Sequence, residues 1–522
     1  MSYDVVVAGG GPVGLMLACE LAVGGASVVV IERLTEIDRT VKAGSLNTPS
    51  VEALYRRGLL PALRAAEEEN LAAFMTGNAP KGKPRGGPKF AGHFAGIVLS
   101  GDLLDPDDPD LGGNGPGDNV KLVGQQQLER ILAERAAELG IEVRKGVELT
   151  GFEADEDGVT VTTTEDTIRG GWLVGCDGGR SLVRKLAGFD FPGTDPEITA
   201  HQAMAVMEGT EELRLGWSAT PTGVYAYGPM PGRILTVEFG GVPKDRDAPV
   251  TTEELQDSIR RVTGAPVVVT GIKTATRFTD NARQVSTYRK GRVLLAGDAA
   301  HVHSPFGGQG LNLGLGDAMN LGWKLAATVR GDAPRDLLDT YTAERHPIGA
   351  WVLEWTRAQI AVMRPDRHAR ALRAVVTNLA ETVAGTTYLV KQLSGVWQRY
   401  DIPGDHPLLG RSAPDLELAD GSRLADHMHT GRALLLDPSG ELAASAYGYR
   451  DRVEVVESAI VERPQLAGLL VRPDGFVAWA DEEGHPNPVP LGAALSTWFG
   501  APAVTGAGGS AEVGTETVGT AS

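Results

Sequence analysis

Tyr3-Asp4-Val5-Val6-Val7-Ala8-Gly9-Gly10-Gly11-Pro12-Val13-Gly14 opens the chain. Four apolar residues in a row predict a short buried strand, and three consecutive glycines end it at once. Val13, Leu15, Met16, Leu17, Cys19 and Leu21 then recur at helical spacing over 13–24. Val28-Val29-Val30-Ile31 predicts a second buried strand ending at Glu32-Arg33. Each glycine of the G-x-G-x-x-G spacing has a physical task. Gly9 permits the tight turn, Gly11 admits a pyrophosphate to the backbone, and Gly14 lets the helix pack on the strand. Pro12 and Val13 start a helix whose free N–H groups and positive end suit phosphates. Glu32, 18 residues past Gly14, can accept ribose hydroxyls. The spacing alone leaves the nucleotide open between NAD and FAD.

Beyond this unit, Thr48-Pro49 opens a helix carrying Val51, Leu54, Leu59, Leu60 and Leu63. Residues 76–119 read as a long surface excursion, basic at Lys81–Lys89 and acidic from Asp102 to Asp118, with one short strand near His93–Leu99. Gln125 to Leu139 is an amphipathic helix, followed by strands at 141–145, 147–154 and 158–164. From about 188 the pattern turns to alternating β segments (201–208, 223–229, 233–240) around a helix near 252–263. A buried strand at 292–298 precedes a long helix at 309–331, and helical patterns continue through 335–400. Residues 405–500 start afresh, with strands near 432–437, 452–456 and 468–472 and a last helix near 490–499. The Gly/Ala/Ser/Thr-rich end is expected to stay disordered.

The 522 residues suggest about three domains. Lys+Arg 49 against Asp+Glu 67 gives a net charge of −18, which argues against nucleic acid and anionic membrane surfaces as partners. Two cysteines, Cys19 and Cys176, provide neither a disulfide framework nor a cysteine zinc site, and both read as small buried hydrophobes in a reducing cytoplasm. The N-terminus lacks a basic region, and no apolar run approaches the roughly 18 residues a membrane span needs.

Two later motifs decide the cofactor. Gly175-Cys176-Asp177-Gly178-Gly179-Arg180-Ser181-Leu182-Val183-Arg184 resembles the Asp-Gly motif, and Arg292 to Asp298, followed by Pro305-Phe306-Gly307-Gly308-Gln309-Gly310-Leu311-Asn312, resembles the Gly-Asp motif with its extension. With the N-terminal fingerprint they identify a resemblance, over about 1–400, to the single-component FAD-dependent aromatic hydroxylases, the family of p-hydroxybenzoate and phenol hydroxylases. Phe90–Gly96, Asp190–Thr194, Arg283-Gln284-Val285, His406–Gly410 and Val471–Trp479 are similar to hydroxylases that tailor bacterial aromatic polyketides of the angucycline and tetracycline type.

The resemblance implies an α/β architecture. A Rossmann-like FAD-binding domain (1–187 and 276–400) would carry an inserted β-sheet substrate domain (188–275) and a C-terminal thioredoxin-like domain (401–502), with a tail at 503–522. No cysteine follows Cys176, so the thioredoxin-like domain would lack Cys-x-x-Cys and serve as structure or interaction surface. Cofactor contacts would come from Gly9, Gly11, Pro12, Val13, Gly14, Glu32, Arg33, Lys42, Gln125, Asp177 and Asp298, and from Pro305, Gly307, Gly308, Gly310, Leu311 and Asn312. Lys42 stands where the family often has arginine; it keeps the charge but loses the planar fork.

Activity is implied in the same way. NAD(P)H visits transiently to reduce the flavin, since no second nucleotide-binding strand–helix unit is visible, and NADPH is favoured over NADH. O₂ then forms a flavin C4a-hydroperoxide, and an electron-rich phenol takes the distal oxygen; monomer and homodimer both remain open. His93 is the first candidate for a base that removes the phenolic proton, against a packing role. His301 and His303 at i, i+2 lack further ligands, so hydrogen bonding is expected rather than metal. Phe94 and Phe306 are candidates to line the substrate; Tyr225, Tyr227 and Phe239 fit either a pocket or sheet core. The leading reading is hydroxylation of a polycyclic aromatic polyketide in antibiotic or other secondary metabolism. Baeyer–Villiger or epoxidising oxygen insertion, and a flavin-binding protein without oxygenase activity, are the alternatives; the absence of W-x-W-x-I-P disfavours halogenation.

Overall fold

The computed structural model describes residues 2–76, 89–113, 115–117, 119–243, 248–482 and 487–503. The expected tail and the basic run Lys81–Arg85 lie outside the described residues.

The opening strand, Ser2–Ala8, sits in an eight-stranded sheet. Val28–Glu32 and Thr167–Gly175 flank it in parallel. Glu142–Lys145 and Val293–Leu295 extend the sheet on either side, also in parallel. The Val/Leu/Ile runs at Val5–Val7, Val28–Ile31 and Val293–Leu295 follow from burial on both faces. Register matters most here. Ala8 lies beside Ile31 and Gly175, and Leu295 beside Gly175. The chain therefore leaves the sheet at Gly9, Cys176 and Ala296 side by side, bringing the three motifs to one edge, outside the carboxyl ends of parallel strands.

Two helices cross beneath this edge, Pro12–Val23 and Gln309–Arg330. Glycines let them approach closely: a Cβ on Gly314 would lie 2.6 Å from Val13, and one on Gly322 2.4 Å from Glu20. The expected single helix after Thr48-Pro49 is in fact two, Thr48–Tyr55 and Leu60–Thr76, divided at Gly58, whose φ is +76°.

A five-stranded antiparallel sheet follows, in the order Gly216–Ala219, Gly223–Tyr227, Arg233–Glu238, Thr199–Glu208 and Val268–Phe278. Its last strand runs to Phe278, beyond the expected boundary at 275. One face is covered by the Thr252–Thr263 helix through Leu255, Ile259 and Val262. The other looks toward the motif edge and shares a cluster with Phe94, Phe306 and Trp355. The excursion holds not one strand but a hairpin, Phe90–Phe94 with Ile97–Ser100. Ala95 and Gly96 make its turn, both at positive φ (51° and 75°), as a two-residue type I′ connection requires. Its acidic stretch is docked: Asp108 and Asp110 bridge to Lys391 at 3.0 and 2.6 Å.

The C-terminal unit is a four-stranded sheet, Val453–Val456, Ala433–Leu436, Gly468–Val471 and Val477–Asp481, with the helix Pro488–Phe499. It attaches through buried charge. Arg472 pairs with Glu344 at 2.7 Å and with Asp474, Lys324 pairs with Glu344 at 2.8 Å, and Arg57 bridges Glu20 and the Pro473 carbonyl, each at 2.7 Å. Burial alone would raise the Glu344 carboxyl, but Arg472 and Lys324 hold it well below its usual range.

Candidate active site

The Gly9–Gly14 turn is built by contacts that only glycine allows. A Cβ on Gly9 would lie 2.3 Å from the Cys176 carbonyl oxygen, and one on Gly14 would lie 1.9 Å from that of Gly9. Gly11 differs, because nothing lies within 4 Å of its Cβ position. The helix it precedes has no side-chain cap, so the space borders free N–H groups. Glu32 accepts from the Gly10 N–H at 2.7 Å and from the Leu34 N–H at 2.7 Å, which fixes the carboxylate beside that space. Arg33 is exposed, Lys42 is exposed and paired with Asp38 at 2.9 Å, and Gln125 is half-buried at a helix start.

The second motif is tied to the third. Asp177 Oδ2 accepts from the Leu182 and Val183 N–H groups at 2.7 and 3.1 Å, while its Oδ1 is buried without a partner. Arg184 donates to the carbonyls of Gly179 and Ala299, both at 2.8 Å, so the arginine ending the Asp-Gly motif holds the Gly-Asp turn. Asp317, buried, accepts from the Gly297 N–H at 3.0 Å and pairs with His301 (2.7 Å) and Arg345 (2.8 Å). Burial would raise this carboxyl, yet His301 and Arg345 keep it below its ordinary value. The neighbouring Asp298 stays exposed.

The two histidines diverge. His301 turns to Asp317, and His303 Nδ1 donates to the Ser304 carbonyl at 2.7 Å, leaving its Nε2 buried as an acceptor without a partner. That Nε2 and Asp298 Oδ1 both lie within 4 Å of the Cβ position of Gly310, in the first turn of an uncapped helix. His303 had no cofactor role in the sequence reading; its signal is the acceptor left unpaired. The Asn312 side chain is engaged within the protein. It accepts from the Asn47 N–H at 2.9 Å and donates to the Gly308 carbonyl at 2.8 Å, so it fastens the 45–47 loop to the helix start. Leu311 belongs to the main core, Gly307 and Gly308 adopt positive φ (80° and 63°), and Pro305 is exposed. Two uncapped helix starts, an open Gly11 and the orphan acceptors of Asp177 and His303 suit a ligand rich in phosphate oxygens and hydroxyl donors. The residues present fit FAD.

Beside this edge lies an aromatic cluster. Trp217 packs against His93 with the rings tilted (centroids 4.5 Å, 44°) and faces Phe306 edge-on (6.1 Å), and Phe278 meets Phe306 at 5.9 Å. Phe94 packs on Trp355 at 4.7 Å, and Phe239 joins the same cluster. Tyr225 and Tyr227 do not line it. They lie on the opposite face, packed with Leu213, Ile234 and Leu255 under the Thr252–Thr263 helix, and the Tyr225 hydroxyl accepts from the Arg214 N–H at 3.1 Å. Alternation along each strand decides this, since residues two apart share a face. Trp217 and Phe278 take their place.

His93 does reach this cluster. Its Nδ1 is 3.4 Å from the Gly96 N–H. Burial first, and Arg233 second, push its imidazole down to about 4, so it is neutral at pH 7. A group this weakly basic accepts a hydrogen bond from a phenol rather than its proton.

Comparisons with known proteins identify the family. Residues 2–356 match the FAD binding domain family, and residues 406–502 match the C-terminal domain of aromatic-ring hydroxylases. The chain is 42% identical to a 12-dehydrotetracycline 5-monooxygenase/anhydrotetracycline 6-monooxygenase of Streptomyces rimosus, covering 97% of this chain and 100% of that one. A solved anhydrotetracycline hydroxylase from Streptomyces rimosus superposes with a TM-score of 0.82 at 40% identity, over 96% of this chain and 100% of the other. A dialkyldecalin synthase of Streptomyces rugosporus is 38% identical over 96% of this chain and 99% of its own.

Proposed function

From the premise that this chain belongs to the FAD-binding aromatic-ring hydroxylases, we propose that it inserts one oxygen atom from O₂ into a polycyclic aromatic polyketide on the way to an antibiotic-type metabolite. It is an FAD-dependent monooxygenase with NAD(P)H as reductant. The observation that carries the substrate reading is the aromatic cluster of Trp217, Phe239, Phe278 and Phe306 beside the Pro305–Gly310 loop, which we read as the wall of a substrate cleft. Flat rings fit such walls through edge-to-face and offset contacts.

FAD, when bound, supplies the oxygen-activating chemistry. The chain's own residues bind and orient. In our reading Gly11 and the first turn after it take the pyrophosphate, Glu32 the adenosine ribose, and Asp298 with His303 the ribityl hydroxyls. The Gly307–Gly310 backbone offers N–H groups and a helix's positive end to the negative charge of the reduced ring. Phe94 and Phe306 close the cleft against water, and His93 accepts a hydrogen bond from the substrate hydroxyl. The C-terminal unit reads as a thioredoxin-like scaffold without a redox pair; the absence of cysteine beyond Cys176 supports this.

The relative named as a synthase motivates a second reading, in which the same fold holds flavin without transferring oxygen. One experiment separates them. The FAD-loaded protein is incubated with NADPH, ¹⁸O₂ and a panel of angucyclinone and tetracycline intermediates. A product carrying one ¹⁸O supports the proposal, and its position by NMR distinguishes ring hydroxylation from insertion beside a carbonyl. A product of unchanged mass, with no substrate-dependent O₂ uptake across the panel, overturns it for the second reading.

A further inference from the structure

The helix Arg367–Ala380 is apolar on two sides. Its inner side is committed. Ala369 and Ala380 are buried, Val376 joins the cluster of Phe94 and Phe306, and Arg373 donates to the Ala95 carbonyl at 2.7 Å. Its outer side faces solvent. Leu372, Val375 and Leu379 recur at i, i+3 and i+7 and so form one stripe. They are 47%, 56% and 58% exposed, and Val383, just past the helix end, is 48% exposed. Ala371 and Ala374 beside them are exposed as well. The inner side already holds the helix in the fold, so the outer stripe has no task within the chain.

The charges at its ends run against the helix's own field. Asp366 accepts from the His368 and Ala369 N–H groups at 2.9 and 3.1 Å, which fixes the helix start at Arg367. Exposed Arg367 and Arg370 therefore lie in the first turn, at the positive helix end, and exposed Glu381 follows the last turn, at the negative end. A single helix is weakened by this order, and a second copy lying antiparallel relieves it at both ends. We propose that this face binds a second copy of the chain across a two-fold axis beside Val375. Leu372 then meets the partner's Leu379, and the Arg367–Arg370 turn meets the partner's Glu381. The exposed parts of the apolar side chains amount to roughly 400 Å² per copy, a patch of the size that marks contact sites. Doubled across the axis and widened by the charged ends, it reaches the roughly 1,000 Å² at which specific association begins. A membrane fits less well, because the net charge of −18 opposes an anionic surface. Through Arg373 and Val376, such a dimer braces from outside the helix that holds the hairpin turn.

The test follows the mass of the FAD-loaded full chain by light scattering and analytical ultracentrifugation, from about 1 to about 100 µM. Wild type is compared with Leu379→Glu, with Glu381→Arg, and with the triple exchange Arg367→Glu, Arg370→Glu and Glu381→Arg. FAD occupancy and thermal midpoint at low concentration are recorded for each. Wild type is expected to pass from monomer to dimer within this range. Leu379→Glu weakens association at least about tenfold and Glu381→Arg at least about threefold, and the triple exchange restores it. FAD occupancy stays unchanged throughout. A wild type that is monomeric at every concentration overturns the proposal, as does a dimer that Leu379→Glu leaves intact. A dimer lost in Leu379→Glu but not restored by the triple exchange overturns the antiparallel arrangement. Flotation of wild type, but not Leu379→Glu, with phosphatidylglycerol–phosphatidylcholine vesicles, in the absence of any dimer, assigns the face to a lipid surface and overturns the proposal.

Discussion

Gln359 accepts a hydrogen bond from the Ala95 N–H at 3.0 Å, and its other end donates to the Phe306 carbonyl at 3.2 Å. One fully buried amide therefore joins the hairpin turn to the loop beside the cofactor site. Gln359→Leu would leave both backbone groups buried and unpaired. A loss of about 1–3 kcal/mol is expected in urea unfolding, together with less product per NADPH consumed. Unchanged coupling would mean the hairpin holds its place by packing alone.

The glycines of the first turn separate folding from binding. Gly11→Val meets open space in the protein without cofactor, so its stability should change by about 1 kcal/mol or less, while FAD occupancy collapses. Gly14→Ala drives a methyl into the Gly9 carbonyl and should impair folding itself. Asp298→Ala should lower occupancy less than Gly11→Val. Absorbance at 450 nm (roughly the flavin maximum) after purification, beside thermal melts with and without added FAD, distinguishes the three.

His93 has a signed pH dependence. Its folded value near 4 lies below the ordinary 6.5, so the unfolded chain takes up the proton first on acidification. The contribution of neutral His93 is complete above about 6.5 and is lost as pH falls toward 4. His93→Phe should flatten that part of the stability–pH curve. His93→Ala should keep FAD and NADPH oxidation while product per NADPH falls up to about tenfold, the scale of a single hydrogen bond. A drop of about 10²-fold or more, with a pH profile to match, would restore a proton-transfer role.

Arg472 sits fully buried between Glu344 and Asp474. Removing it strands Asp474 and leaves Glu344 to Lys324, and Arg472→Met should cost about 3–5 kcal/mol in denaturant unfolding of the full chain. Adding Asp474→Asn to that variant should return part of the loss. Independent, additive effects would show that the ion cluster is not coupled.

The cofactor edge was legible because its demands are local: turn, close approach and helix packing each require glycine at a fixed position, as at Gly9 and Gly14. The aromatic cluster was less so. Tyr225 and Tyr227 share the alternation of any pocket-facing pair, and only the Thr252–Thr263 helix on their side of the sheet excludes them. That helix, with Leu255, Ile259 and Val262 on one stripe, needed an apolar face to cover, and this was the available clue. The hairpin was read as one strand because its turn places Ala95 at positive φ, a conformation alanine seldom marks in a sequence. Which polar side chain is consumed by the protein is equally hard to read: Asn312 is engaged by the distant Ser45–Asn47 loop, and His303 Nδ1 by the carbonyl of its neighbour Ser304.

The charged joint between Lys324, Glu344, Arg472 and Asp474 also governs how such chains can be recombined. A chimera joined at 400–405, between the two parts, takes Lys324 and Glu344 from one parent and Arg472 and Asp474 from the other. Where the parents differ at any of the four positions, the hybrid inherits a buried ion without its partner, however well its sheets fold. In engineering by domain exchange, 320–345 and 472–474 therefore travel as one heritable block, although about 130 residues of chain separate them.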